Sequence, residues 1–539
     1  MKLGMFDPPE MVPYTKIDEN LLDSTEHRAM ARKIANESMV LLKNDGVLPL
    51  KTSHVKIAVV GPLADQTKVL LGNYNGVPSH TVSILEGLRA EFPEATISYV
   101  PGTQFLSHEA EPVPASALTV DGKPGIQASY SKLDMSNLNN PAATKPVAQR
   151  VESTLDEAAN ALPTEAASVH PLSIRWEGSL TAPQTGDYNL GLMANGFFRM
   201  QLDGKNVTSA YGGSGTEAKL GRVHLESGKP AALRVEYSPG ENETPAAKLV
   251  WSKVDLKPQP AAIEAAKAAD VVVTVVGITS ELEGEEMQVS EEGFKGGDRT
   301  SIDLPKPEEE LLEAVATAGK PLVVVLTNGS ALGVNWAKDH ANAILDAFYP
   351  GEEGGAAVAQ TLSGKNNPAG RLPVTFYKDV SQLPPFEDYA MKGRTYRYFE
   401  GMPLYPFGYG LSYTSFSYSD LTGPANVSAG SPVIVEVKVT NTGKRPGDEV
   451  AQLYLNFPGV PGAPLRALRG FQRIHLESGA SQKVRFELQP RDLSMVTDKG
   501  DPIVAEGKYT VSVGGGQPGS GVPVLTKAFN VKGETKLPE

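Results

Sequence analysis

The rhythm of apolar positions changes along the chain and divides it into segments. The stretch "DSTEHRAMARKIANESMVLLKNDGVLPL" predicts a helix that Ser24 or Thr25 caps, with Met30, Ile34 and Met39 and then Val40 to Leu42 on one buried face. A continuous apolar run, "VKIAVVGP", predicts a strand that stops at Gly61-Pro62. "SILEGLRAEFP" and "ATISYV" repeat the helix-strand alternation of an α/β unit with a parallel sheet.

After Val100 the pattern is lost in a stretch rich in Ala, Pro, Ser, Asn and Thr that runs to about residue 170. Then "LSIRWEGSLTAPQTGDYNLGLMANGFFRMQLDGKNV" gives short alternating runs broken by Gly and Asp-Gly, which are hairpin signals. With "GRVHLESGKPAALRVEYSPG" and "AAKLVWS" they predict a β-sandwich inserted into the α/β unit. The α/β pattern resumes at "AAIEAAKAADVVVTVVG", continues through "EEELLEAVATAGKPLVVVLTNGS" and "NAILDAFYPGEEGGAAVAQTL", and ends near Tyr413. A joint at 422–432 leads to "PVIVEVKVTNTGKRPGDEVAQLYLNF", "QKVRFELQP" and "GKYTVSVGG", short strands with no helix between them, as in an immunoglobulin-like sandwich. The fold class is therefore α/β plus β, with an interrupted α/β sandwich domain followed by a second β-sandwich.

Composition narrows the partners. A formal net charge of −13 over 539 residues lacks the basic footprint of a nucleic-acid or anionic-membrane partner. The absence of cysteine removes disulfides, thiol nucleophiles and thiolate metal sites. No apolar stretch reaches the roughly 18 to 20 residues of a membrane span, and "MKLGMFDPPEMVPY" has no signal-peptide core. Eight scattered histidines offer no metal spacing, no cofactor is implied, and no GxSxG stretch marks a nucleophile elbow.

Ligands of open α/β sheets bind beyond the carboxyl ends of strands. The loop after "VVVTVVG" reads "GITSELEGEEMQVSEEGFKGGDR", six glutamates and an Asp298-Arg299 pair. One carboxyl there can serve as a general acid if its neighbours keep it protonated, but a defined nucleophile is missing. The aromatic and arginine run "KGRTYRYFEGMPLYPFGYGLSYTSF" suits a sugar ring, and suits a packed domain border better.

Several stretches taken together resemble glycoside hydrolase family 3, the retaining β-glucosidases and β-xylosidases. They are "KLGMFDPPE", "EHRAMARKIANESMVLLKNDGVLPL", "GNYNGVPSHTVSILEGL", "VVVTVVGITSELEGEEM" with "GGDRTSIDLP", "VVVLTNGSALGVNWA", "AFYPGEEGGAAVAQTLSGKNNPAGRLPVTFY", "GRTYRYFEGMPLYPFGYGLSYT" and "TNTGKRPGDEVAQLYL", in the family's order. The resemblance implies a discontinuous C-terminal α/β sandwich domain at 26–99 and 254–415, a protective-antigen-type β-sandwich at 100–253, and a fibronectin type III-like domain at 420–531. Residues 1–25 look like the linker from the family's (β/α)8 barrel, a domain of roughly 250 to 350 residues that carries the nucleophilic aspartate. No nucleophile is then expected in this chain, and the barrel becomes a partner in cis or in trans.

By the same resemblance the acid/base glutamate is Glu283, with Glu285 as the second choice. Glu286-Met287 and a long excursion before Asp298-Arg299 depart from the commonest pattern. The implied activity is exo-acting hydrolysis of O-glycosyl bonds in plant-type oligosaccharides or aryl β-glycosides, with this chain as the acid/base-bearing half, inactive or incomplete alone. A non-catalytic carbohydrate-binding protein is the alternative. A periplasmic or secreted address fits the full-length protein, and calcium in the inserted sandwich would need paired acidic residues, of which no adjacent Asp-Asp occurs there.

Overall fold

The computed structural model describes residues 2–104, 110–133, 145–156, 160–240, 243–285, 289, 291–497 and 499–538, with backbone alone for 211–217. It divides into two compact units, residues 1–103 with 258–539, and residues 104–257.

In the first unit a six-stranded sheet runs in the order Val40–Asn44, Ala343–Asp346, Leu322–Thr327, Val271–Gly277, Ser53–Val60, Glu94–Val100. Five strands are parallel, and Val40–Asn44 lies antiparallel at the edge. Val271–Gly277 and Leu322–Thr327 are buried at every position, which is why they read as unbroken apolar runs instead of alternating ones. Helix Ile84–Glu91, closed by a capping box on Ser83 and Glu86, packs on helix Gly354–Ser363 through glycine. A Cβ on Gly87 would stand 2.2 Å from the Gly355 carbonyl oxygen, and one on Gly355 would stand 2.0 Å from that of Ser83. Gly87→Ala is accordingly expected to separate the two helices and cost about 1–3 kcal/mol in urea unfolding.

The first helix departs from its sequence reading. It spans Thr25–Ser38 and is capped by Ser24, whose Oγ accepts from the His27 N–H. Met30 and Ile34 are 54% and 60% exposed, while Ala35 is its buried residue. Met39 to Leu42 are buried, but Val40–Asn44 is a strand. The helix turns its small residues to the Gly- and Ala-rich helix Gly354–Ser363, which permits close approach, and its large apolar side chains face outward.

The C-terminal part is a sandwich of a three-stranded sheet, Phe416–Thr422, Val433–Asn441 and Ser481–Leu488, and a five-stranded one. Val433–Asn441 alternates buried and open positions, with Val433, Val435, Val437 and Val439 in the core. One helical turn, Pro490–Leu493, interrupts the strands, where the sequence predicts none. This sandwich is no separate unit from the α/β part, because the aromatic run packs against it. Tyr396 stacks on Phe407 with centroids 4.1 Å apart, and its hydroxyl accepts from the Leu468 N–H. Beneath them Arg371 pairs with Glu449 at 3.0 Å, both side chains nearly inaccessible, and the Tyr418 hydroxyl donates to the second Glu449 oxygen.

The second unit is a ten-stranded sheet assembly around Trp176, Tyr130, Tyr237 and Trp251. Its longest hairpin joins Gly186–Leu202 to Lys205–Leu225 through Asp203-Gly204, both at positive φ as a type I′ turn requires. Strands already appear at Leu118–Val120 and Ile126–Lys132, inside the stretch that showed no pattern.

Candidate active site

The glutamate loop leaves the sheet at Gly277, where φ is +146° and a Cβ would lie 2.0 Å from the Thr327 carbonyl oxygen. Only glycine fits that exit. The Gly277 N–H donates to Glu308 Oε2 at 2.9 Å, and Glu308 is wholly buried in the first turn of helix Lys306–Ala316. Burial pushes its carboxyl well above the ordinary glutamate range, against the one hydrogen bond that lowers it. Below the ordinary value of 4.5 both folded and unfolded chains hold this proton. Above it the unfolded chain releases the proton first, so stability falls by about 1.4 kcal/mol per pH unit until the folded group also ionises. Glu308→Gln keeps the acceptor for Gly277, and its midpoint in urea is expected to match the parent at pH 4 and exceed it increasingly from pH 5 upward.

Glu283 sits in a ring of donors. The Gly329 N–H and the Tyr349 hydroxyl each donate to its Oε1 at 2.6 Å, and the Ser330 hydroxyl donates to its Oε2. Arg299 Nη1 in turn donates to Ser330 Oγ at 3.0 Å, while its Nε donates to the Ser301 carbonyl and its face lies over the Phe294 ring. The loop after Leu322–Thr327 supplies Gly329 and Ser330, and the loop after Ala343–Asp346 supplies Tyr349. Three neighbouring strand ends thus converge on one carboxylate. A Cβ at Gly329 would fall 2.6 Å from Glu283 Oε1, so the close approach again needs glycine. Burial, then the charge of Glu283, pushes the Tyr349 phenol far up. Burial lowers Arg299, with Glu283 the largest opposing influence.

Glu285, two residues on, is exposed, and among the described residues its hydrogen-bond partner is the Tyr74 hydroxyl, which donates to Oε2 at 2.7 Å. Tyr74 is itself 82% exposed with φ at +56°. Its segment lies along the glutamate loop, because Lys68 pairs with Glu281 at 3.2 Å and Ser280 Oγ donates to the Leu71 carbonyl. The structure therefore brings both sequence candidates to one strand end with opposite surroundings, Glu283 enclosed and Glu285 open. Glu286 and Met287 lie outside the described residues. Ser330, Tyr349 and Tyr74 were not singled out in the sequence. Their signal is only that each sits just past the carboxyl end of a sheet strand or its 3-10 turn. Among the described residues no cluster of three His, Asp or Glu could hold a metal.

Residues 39–413 match the glycosyl hydrolase family 3 C-terminal domain, and residues 449–517 match a fibronectin type III-like domain. A xylan 1,4-beta-xylosidase of Xylanibacter ruminicola is 36% identical over 525 residues, which cover 95% of this chain and 59% of the relative. A beta-glucosidase of Rhizobium radiobacter is 31% identical over 535 residues, covering 92% of this chain and 62% of that protein. Among solved structures, the beta-glucosidase of Kluyveromyces marxianus in complex with glucose superposes with a TM-score of 0.64 at 27% identity, over 95% of this chain and 63% of that one. The chain thus spans about three-fifths of the length of these relatives.

Proposed function

The chain belongs to glycosyl hydrolase family 3, and from that premise we propose that it is the acid/base-bearing half of an exo-acting, retaining β-xylosidase or β-glucosidase. Glu285 protonates the leaving oxygen and afterwards activates water, and Glu283 anchors the loop that carries it. The observation that carries this assignment is the contrast between the two carboxylates. Both oxygens of Glu283 are engaged by donors from two neighbouring strand ends, which hold the group in place as an acceptor. Glu285 faces solvent, with Tyr74 as its partner among the described residues, and is placed to meet a glycosidic oxygen.

Retention needs a second carboxylate about 5–5.5 Å away across the scissile bond. Glu283 and Glu285 belong to one loop and cannot flank a sugar from opposite faces. We assign the nucleophile to a (β/α)8 barrel outside these 539 residues, in cis or in trans. In support, Leu3, Met5, Phe6, Met11, Ile17 and Leu22 are all more than half exposed, and with Met30 and Ile34 they leave an apolar surface that a docked domain would cover. The names of the relatives, a xylosidase and a glucosidase, favour β-xylosides and β-glucosides of oligosaccharides as substrates.

The test is hydrolysis of p-nitrophenyl β-xyloside and β-glucoside by the chain alone and mixed with a separately expressed family barrel. Turnover only in the mixture is the expected result. Turnover by the chain alone would remove the need for an outside nucleophile, and saccharide binding without turnover in any mixture would favour a non-catalytic carbohydrate-binding protein.

A further inference from the structure

The excursion that separates Glu285 from Asp298-Arg299 in the sequence comes back to it in space. Strands Phe294–Lys295 and Asp298–Arg299 pair antiparallel, with Phe294 opposite Arg299 and Lys295 opposite Asp298. Between them stands Gly296-Gly297, with φ of +64° and +93°, positive at both residues as a two-residue hairpin turn requires. This tip lies against the backbone between the two site glutamates. A Cβ on Gly297 would fall 1.8 Å from the Gly284 carbonyl oxygen and 3.3 Å from the Gly284 nitrogen, so hairpin and loop meet backbone to backbone with no space for a side chain.

The base of the hairpin is held from the other side of the site. Phe294 is buried, and the Arg299 guanidinium lies over its ring, 5.2 Å from the centroid. Arg299 Nε donates to the Ser301 carbonyl at 2.8 Å, and Nη1 donates at 3.0 Å to Ser330 Oγ, the hydroxyl that itself donates to Glu283. The Thr300 N–H donates to the Gly293 carbonyl at 2.8 Å, and the Gly333 N–H donates to the Ile302 carbonyl at 2.7 Å, which ties the returning chain to the segment after strand Leu322–Thr327. One anchored piece thus touches the clamp on Glu283 at its base and the peptide beside Glu285 at its tip. The Glu285 side chain has weaker support of its own, since its partner Tyr74 is itself exposed.

We propose that the hairpin of residues 294–299 is the positioning element of the acid/base carboxylate, with Gly297 as the seat on which the Gly284 peptide rests and from which Glu285 is aimed at the glycosidic oxygen. This role rests on the assignment of Glu285 as acid/base wherever turnover is read. A methyl group at position 297 has to part the two backbones by more than about 1 Å, and a shift of that size at a reacting group can cost about a hundredfold in rate. With the hairpin fixed at its base, Gly284 is the side that yields. Proton transfer suffers first, because the donor must stay within hydrogen-bond reach of the leaving oxygen. Glu283 keeps its three donors.

The test compares Gly297→Ala with Gly293→Ala in the full chain. Gly293 has nearly the same φ, +89°, but a Cβ there meets nothing nearer than Ser301 Cβ at 3.8 Å, so the two variants separate backbone strain from the contact with Gly284. In the barrel mixture, kcat/KM of Gly297→Ala is expected to fall about 10- to 100-fold on whichever of xylobiose and cellobiose the parent cleaves. On the matching dinitrophenyl glycoside, whose leaving group departs without a proton, it should fall by less than about threefold. Gly293→Ala should stay within about threefold of the parent on both. Equal losses on the two substrates, or equal losses in the two variants, would overturn the proposal. Amide hydrogen exchange of the chain without the barrel reads the same contact independently of catalysis. Residues 279–285, where the Leu282 and Glu283 N–H groups donate to the Thr279 carbonyl at 3.0 and 3.1 Å, should exchange at least about fivefold faster in Gly297→Ala and at the parent's rate in Gly293→Ala, with 271–276 equally protected in all three. Unchanged exchange at 279–285 in Gly297→Ala would mean that the hairpin yields instead of the loop, and would overturn the proposal as well. A mixture in which the parent itself is silent counts against the acid/base reading, whereas the exchange comparison stands or falls without it.

Discussion

In the complemented enzyme, Glu285→Gln is expected to lower turnover of unactivated xylosides and glucosides by between about 10²- and 10⁴-fold, the contribution of a positioned proton donor. The variant keeps the Tyr74 hydroxyl as a donor to its side-chain oxygen, so the loop retains its contact. A p-nitrophenyl leaving group needs little help to depart, and with it the first step should survive while breakdown of the glycosyl-enzyme slows. Azide attacks without a base, so adding it should restore turnover and give a β-glycosyl azide. Glu283→Gln should also lower turnover, through the loss of an acceptor for Gly329, Ser330 and Tyr349, but azide should not restore it. Azide rescue of the Glu283 variant in place of the Glu285 variant would reverse the two roles.

The second large effect concerns stability. Glu449→Ala leaves the Arg371 guanidinium at the seam without its counter-ion and removes the acceptor of the Tyr418 hydroxyl. Breaking a buried pair on one side costs about 3–5 kcal/mol, because the remaining charge cannot recover its water. The remaining Arg371 contacts are to the carbonyls of Ala369, Gly370 and Gly515, which accept hydrogen bonds but do not neutralise it. Urea unfolding followed by circular dichroism should show the midpoint lowered accordingly, and Arg371→Met with Glu449→Leu together should recover much of the loss. A single variant within about 1 kcal/mol of the parent would mean that the seam admits water and the pair behaves as a surface one.

The sequence made the central sheet legible because its strands are covered on both faces, so "VVVTVVG" and "LVVVLT" could be little else. Asp203-Gly204 announced its hairpin for an equally local reason, the positive φ that both residues tolerate. Helix Thr25–Ser38 shows where periodicity stops informing. A stripe of Met30 and Ile34 has the right spacing for a core, and nothing within the segment says that Ala35 faces inward instead. The same limit governs the site. Glu283 and Glu285 stand two residues apart in nearly the same local sequence, and what separates them comes from Gly329, Ser330 and Tyr349 on one side and Tyr74 on the other. Those partners lie between 46 and 211 residues away in the chain, beyond any local pattern.

The place where the second unit enters the first has a bearing on the order of folding. The Gly102 carbonyl accepts the Gln259 N–H at 2.7 Å, so the chain leaves and returns at nearly one point. Strand Val271–Gly277 pairs with Ser53–Val60, and residues 104–257 must be spanned before that pairing forms. Were those residues a random coil, closing them would cost entropy that grows with the logarithm of their number. With a core of its own the insertion can condense first, bringing its two ends together and reducing the closure to a short link. On ribosomal emergence the N-terminal half of the parallel sheet then waits, unpaired on one edge, for a neighbour that arrives only after the whole inserted sandwich has been made.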